Sequence, residues 1–243
     1  MMKVLQGVMA CCISAILYFC ICIQVCFAHV VEWPKKGEIR LGIEQTFMND
    51  RDITPNTPID GWVKGEIDRR RNTELILTYG LLDFLKVQAI LGGTNIEIGE
   101  VRSYLCDYDN SATGISAGLE VDLLYIKEKI FLVWSQIKYL RSQFDSDFYI
   151  NEWELYPFMI GLKFKQFMPY AGIAYSNFRV NDRSYEFEAE EKWEGVVGIE
   201  YRATEHFSMS FETKIVPETK NKHVGNDNGI DGASFAISVF YTF

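Results

Sequence analysis

The last nine residues, Phe235-Ala-Ile-Ser-Val-Phe-Tyr-Thr-Phe243, put a large apolar side chain at every second position: Phe235, Ile237, Val239, Tyr241 and Phe243. The residues between them, Ala236, Ser238, Phe240 and Thr242, are mostly small or polar. Successive side chains of a strand point to opposite faces, so the pattern predicts a strand with one greasy face that runs to the final aromatic. Such a strand either buries that face in a protein core or needs an apolar solvent outside it.

The beginning of the chain points to export. Met1 to Gly7 carries one positive charge, Lys3, and Val8 to Ile23 is almost unbroken apolar sequence. Val25-Cys-Phe-Ala28 then supplies a small-x-small cleavage site, which predicts a signal peptide over 1–28 and a single domain over 29–243. An uncleaved anchor is the rival, since Val8 to Ala28 is just long enough to span a bilayer; Gln24 and the Ala28 boundary favour cleavage. A lipobox at Val8-Met-Ala-Cys11 would leave almost no apolar core before its cut. Five of the six cysteines lie in this leader, so Cys106 is left without an intramolecular partner and no disulfide framework is expected. Loss of Lys3 takes the formal charge from −9 to −10, which argues against nucleic acid as a partner. No second apolar stretch approaches the ~20 residues of a transmembrane helix, so any membrane crossing falls to strands.

Period-two segments follow one another along the whole chain. Ile39, Leu41, Ile43 and Phe47 alternate with Arg40, Gly42, Glu44 and Thr46; Leu75, Leu77, Tyr79 and Leu81 alternate with Glu74 and Thr78. Leu85 to Leu91 continues after a turn at Asp83-Phe84, and Gly92-Gly93 reads as a β-bulge that shifts the apolar phase to Ile96 and Ile98. Ile115 to Tyr125 gives the cleanest alternation. Segments around Phe131–Tyr139, Trp153–Lys165, Tyr170–Phe178, Val197–Arg202, Phe207–Ile215 and Ser234–Phe243 complete the set, with Pro157 marking a bend. The expected fold is all-β: a closed antiparallel transmembrane barrel of about ten strands, with eight as the alternative count. Short connectors near 83–84, 127–129, 166–168 and 204–206 are the expected periplasmic turns. Long polar ones near 48–72, 102–111, 141–151, 180–192 and 217–232 are the expected extracellular loops. Phe84, Tyr125, Phe131, Phe167, Tyr170, Phe207, Tyr241 and Phe243 cluster beside the short turns, where a periplasmic aromatic girdle belongs. The last strand should close on the first, near Glu38–Phe47.

A soluble barrel of lipocalin type would place the apolar face inward. The terminal Phe and the small residues of the other face (Gly42, Gly118, Gly161, Gly198, Ser208, Ser210) fit a narrow wet lumen instead. The inner-face charges are then Arg40, Lys86, Lys138, Lys163, Lys165, Arg202 and Lys214 against Glu44, Glu74, Glu120, Asp122, Glu200 and Glu212. The two sets nearly cancel, which predicts cross-lumen ion pairs rather than the single-sign lining of a selective pore. A narrow passive channel is the second reading.

Enzymatic readings find little support in the residues. His206-Phe-Ser208 has a His-x-Ser spacing used by some lipid-modifying barrels, but it falls at a periplasmic turn, away from the outer leaflet. Asp107, Asp109, Asp145 and Asp147 read as solvated loop carboxylates rather than a protease rim. Asn226 to Gly232 is rich in oxygen ligands but lacks calcium-loop spacing, and Glu186, Glu188, Glu190, Glu191 and Glu194 read as a solvated acidic edge. No enzyme, cofactor or metal site is expected.

Leu77-Thr-Tyr-Gly-Leu-Leu-Asp-Phe-Leu85, as strand-turn-strand, and the Phe235 to Phe243 ending resemble the small outer-membrane β-barrel domain proteins of the OmpA/OmpX-like kind. The resemblance implies residence in a Gram-negative outer membrane as a monomer, in contact with outer-membrane lipid and lipopolysaccharide. It also implies that the barrel-assembly machinery recognises the C-terminal strand. It identifies architecture and leaves activity open. The reading it supports is a barrel with an ion-paired, largely closed lumen that serves envelope structure or surface interaction.

Overall fold

The computed structural model describes residues 33–55, 65–98, 111–144, 148–182, 185–189, 192–215 and 233–243. The expected signal peptide, Cys106, the loop aspartates and the 226–232 segment lie outside them. Eleven strands are formed: β1 Ile39–Pro55, β2 Gly65–Leu82, β3 Leu85–Ile98, β4 Ser111–Lys127, β5 Phe131–Gln143, β6 Phe148–Leu162, β7 Phe167–Asp182, β8 Tyr185–Ala189, β9 Lys192–Arg202, β10 Phe207–Ile215 and β11 Ser234–Thr242. Ten of them close a ring in which each pairs with its sequence neighbours, β7 with β9, and β11 with β1. The closing register runs from Arg40↔Thr242 to Met48↔Ser234, so the greasy C-terminal strand seals the barrel along β1.

The apolar stripes face outward. Leu75, Leu77, Leu91, Ile115, Leu119, Phe158, Phe211 and Ile237 are exposed, as a lipid-facing wall requires. Rings mark both edges of the band: Tyr139 against Trp153 at 4.5 Å and Tyr175 against Trp193 at 5.2 Å above, Phe167 against Tyr201 at 4.8 Å and Tyr241 against Phe243 at 5.0 Å below. Trp193 to Tyr201 covers about 26 Å along the strand, or roughly 20 Å at the usual tilt, close to the apolar band of about 25 Å in such barrels. Tyr170 departs from the expected lower girdle. It points into the lumen, lies over Gly198, and donates its hydroxyl to Glu212 at 3.0 Å.

Strands continue well above the band, into segments that read as loops in the sequence. β1 runs on to Pro55, β2 starts at Gly65, and residues 141–151 belong largely to β5 and β6. In this collar the alternation inverts, because water replaces lipid outside. Arg69, Arg71 and Asn95 face out, whereas Ile67, Ile96, Ile150, Phe178 and Val180 are buried inside. The expected bulge at Gly92-Gly93 is therefore absent: pairing is continuous through Glu74↔Gly92 and Thr73↔Gly93, and Ile96 faces in because its surroundings have changed, not its phase. Irregularities fall instead at Ile67/Arg69 and Gly80/Leu82 in β2, at Leu124/Ile126 in β4, at Trp134/Gln136 in β5, and near Pro157, between Leu155 and Phe158.

The collar also changes strand number. β9 begins opposite Ser176 and β11 begins opposite Met48. Above them β8 joins β7 directly to β1, through Arg179↔Glu188 to Asp182↔Tyr185 on one side and Ile53↔Ala189 to Pro55↔Phe187 on the other. A ten-stranded ring thus becomes an eight-stranded one.

Below the barrel, residues 33–38 fold back under β2. Gly37 takes φ +83°, and its N–H donates to the Gly80 carbonyl at 2.7 Å while Gly80 N–H donates to Glu38 at 2.9 Å. A Cβ at Gly80 would lie 2.0 Å from the Lys35 carbonyl oxygen, so only glycine admits this strap. Gly80→Ala is expected to lower stability by about 1–3 kcal/mol and to expose Lys35 and Lys36 to trypsin. Urea midpoints and limited proteolysis of the refolded protein check it; unchanged cleavage would refute the packing argument.

Candidate functional site: the barrel lumen

A cavity of about 200 Å³ runs inside the barrel from Trp33 up to Met48 and Ser234. Its floor is apolar. Trp33, carried in by the strap, packs edge-on against Trp134 at 6.3 Å, and Trp134 against Tyr170 at 5.9 Å. Leu124, Leu132, Tyr156, Met159, Met168, Ala174 and Val196 complete the cluster. A second apolar cluster bridges the lumen in the collar, with Met48, Ile67 and Ile96 from β1–β3 meeting Ile150, Phe178 and Val180 from β6–β7.

Between the two clusters lies a belt of charge. Lys138 reaches across from β5 to Glu44 at 3.6 Å and to Glu74 at 3.9 Å. Lys214 of β10 spans the lumen to Glu154 of β6, which also accepts the Tyr156 hydroxyl at 2.9 Å. Arg40 approaches Glu200 at 3.9 Å, and Lys86 holds Asp122 at 2.8 Å while its ammonium sits 5.0 Å from the Trp33 ring. Glu120 receives the Gln88 amide, whose carbonyl in turn accepts the Thr78 hydroxyl at 2.9 Å. At the top of the belt, Arg70 of β2 donates to Glu152 of β6 at 2.7 Å and to Ser142 at 2.9 Å, beneath Phe178 at 5.4 Å. Pairing of this kind is what allows charges to sit in a narrow protein interior at all.

The structure thus gathers Arg40, Glu44, Glu74, Lys86, Glu120, Asp122, Lys138, Glu200, Glu212 and Lys214 into one belt. Three expected members fall elsewhere. Lys163 lies past the end of β6, and Lys165 is exposed in the following turn at φ 50°. Arg202 ends β9 and donates to the turn carbonyls of Thr204 and Glu205, the latter at 2.7 Å. The alternation continued through these positions, but β6 stops before Lys163 and Lys165, and β9 stops at Arg202. Conversely Arg70, Glu152, Glu154 and Glu194 join the lumen unforeseen. Glu194, expected on a solvated edge, is buried and accepts the Ser176 hydroxyl at 2.7 Å.

These exchanges change the balance. The described lumen carries nine acids (Glu44, Glu74, Glu120, Asp122, Glu152, Glu154, Glu194, Glu200, Glu212) and five bases (Arg40, Arg70, Lys86, Lys138, Lys214). His206 turns its Nδ1 to the Thr242 carbonyl at 2.9 Å and stacks on Tyr241, while Ser208 is buried in the wall.

Comparison with known proteins agrees with this architecture. The model of the outer membrane protein beta-barrel domain family matches residues 82–243, about two thirds of the chain. The chain belongs to that family. Its place is accordingly the outer membrane. Among solved structures it is similar to the translocator domain of the autotransporter NalP from Neisseria meningitidis, with 11% identity, coverage of 86% of this chain and 88% of that one, and a TM-score of 0.47. It is also similar to the outer membrane protein OprG from Pseudomonas aeruginosa, with 16% identity, coverage of 86% and 97%, and a TM-score of 0.32. The third is Ail, the attachment invasion locus protein of Yersinia pestis, with 10% identity, coverage of 86% and 99%, and a TM-score of 0.29. No curated protein matches the sequence.

Proposed function

We propose that this outer-membrane barrel works as a closed, non-enzymatic scaffold that acts in envelope structure or in surface interaction through its extracellular loops. The observation that carries the reading is the pair of apolar clusters inside the barrel, Trp33, Trp134 and Tyr170 below and Ile67, Ile96 and Phe178 above. A belt of charge between two apolar clusters rigidifies the wall, and water-filled continuity across it would require both clusters to part. The engagement of His206 with the terminal strand supports a structural part for that residue rather than a catalytic one. The same reading has the protein entering the membrane as a monomer, with Phe235, Ile237, Val239, Tyr241 and Phe243 presented to the assembly machinery, and resting among lipid and lipopolysaccharide.

Planar-bilayer recording of the purified protein tests the closed lumen. The expected trace is silent at 100 mV in 1 M salt. Stable stepwise currents from the parent protein would replace the scaffold with a narrow channel.

A further inference from the structure

Two neighbouring turns on the periplasmic rim are built alike. Lys127 ends β4, and Glu128, Lys129 and Ile130 connect it to β5; Lys163, Phe164, Lys165 and Gln166 connect β6 to β7. β5 and β6 pair directly, and the Lys163 N–H donates to the Ile130 carbonyl at 2.8 Å, which fixes one turn against the other. Ile130 and Phe164 are 64% and 59% exposed, among the most exposed large apolar side chains of the barrel. Lys127, Lys129 and Lys165 are exposed beside them.

Apolar side chains and lysines alternating at the foot of a lipid-facing wall suit the lipid headgroup boundary: the apolar groups enter the acyl region and the ammonium groups stay at phosphate level. Within the two turns only Glu128 opposes the lysines, although the chain as a whole is acidic at −9. Elsewhere on the rim the basic residues have acids or carbonyls built in beside them. The Glu38 and Asp83 carboxylates accept the backbone N–H groups of Lys35 and Lys36, and Arg202 is held by turn carbonyls. We propose that the paired turns at 127–130 and 163–166 bind the phosphate of an anionic phospholipid in the periplasmic leaflet. This patch would select headgroup charge and give the barrel one preferred lipid contact.

The test is native mass spectrometry of the full barrel extracted from vesicles of equal phosphatidylglycerol and phosphatidylethanolamine. The parent protein is expected to retain phosphatidylglycerol preferentially, and the triple variant K127Q/K129Q/K165Q to lose that preference by at least about tenfold. K35Q/K36Q, which removes two positive charges from the strap, should keep it. Heat-modifiable mobility on gels shows that each variant is folded. Equal preference in the triple variant and the parent, or a parent with no preference, would overturn the proposal. So would lysine-dependent co-sedimentation with purified peptidoglycan in place of lipid retention, which would assign the patch to the cell wall.

Discussion

Arg70→Met is expected to destabilise the folded barrel by about 3–5 kcal/mol, the usual loss when one partner of a buried ion pair is removed. Arg70 is 3% exposed and ties β2 to β6 across the lumen through Glu152, with Ser142 as a second acceptor. The variant leaves the Glu152 carboxylate without its strongest partner beneath an apolar cluster. Removing that charge as well should repair most of the damage, so Arg70→Met/Glu152→Gln is expected to recover more than half of the loss. Urea unfolding in lipid vesicles, followed by tryptophan fluorescence, gives the full double-mutant cycle. Additive losses, with no recovery in the double variant, would show that the pair contributes no coupling and that the lumen is held by its apolar clusters alone.

The second large effect concerns conduction and is non-additive by construction. On the proposed reading the floor at Trp33 and the collar cluster around Phe178 close the lumen in series, so opening either alone leaves the other in place. Trp33→Ala and Phe178→Ala are each expected to stay electrically silent, and the double variant to give stepwise currents. Those currents should favour cations, because the lumen carries more acids than bases and a pore's selectivity follows the sign of its lining charge. Reversal potentials in a tenfold potassium chloride gradient measure this directly. A conducting single variant would show that one of the two clusters does not seal, and an anion-selective double variant would mean that the surplus carboxylates are neutral or lie off the path.

The contrast between what the sequence revealed and what it hid has one physical origin. Inside the membrane the outer solvent is lipid, so large apolar residues at every second position report the outward face. Ile115 to Tyr125, Phe158 to Phe164 and Phe235 to Phe243 were legible for that reason, as was the closure of the last strand on the first. Above the membrane the outer solvent is water, and the same strands carry arginine and asparagine outside with isoleucine and phenylalanine inside. Asp68-Arg-Arg-Arg-Asn-Thr73 then looks like a loop, although Arg70 and Asn72 face in and Arg69 and Arg71 face out. Arg70 and Glu152 were missed because the upper ends of β2 and β6 fall outside the segments that the alternation marks as strands. Lys163 and Lys165 were included because periodicity does not say where a strand ends. The surplus of carboxylates in the lumen follows from both errors together, and neither was visible without the pairing register.

The exchange of partners by β1 and β7 gives the molecule shoulders. Barrel width grows roughly in proportion to strand number, so passing from ten strands to eight narrows the ring by about a fifth. β1 climbs from Met48 to Pro55 beyond its last contact with β11, about 23 Å along the strand. The connections leaving β1, β3, β5 and β7 therefore start from the top of a neck, whereas the one leaving β10 starts from the step beneath it. The described strands thus present a stepped rim, tall where β8 bridges β7 and β1 and low over β9 to β11.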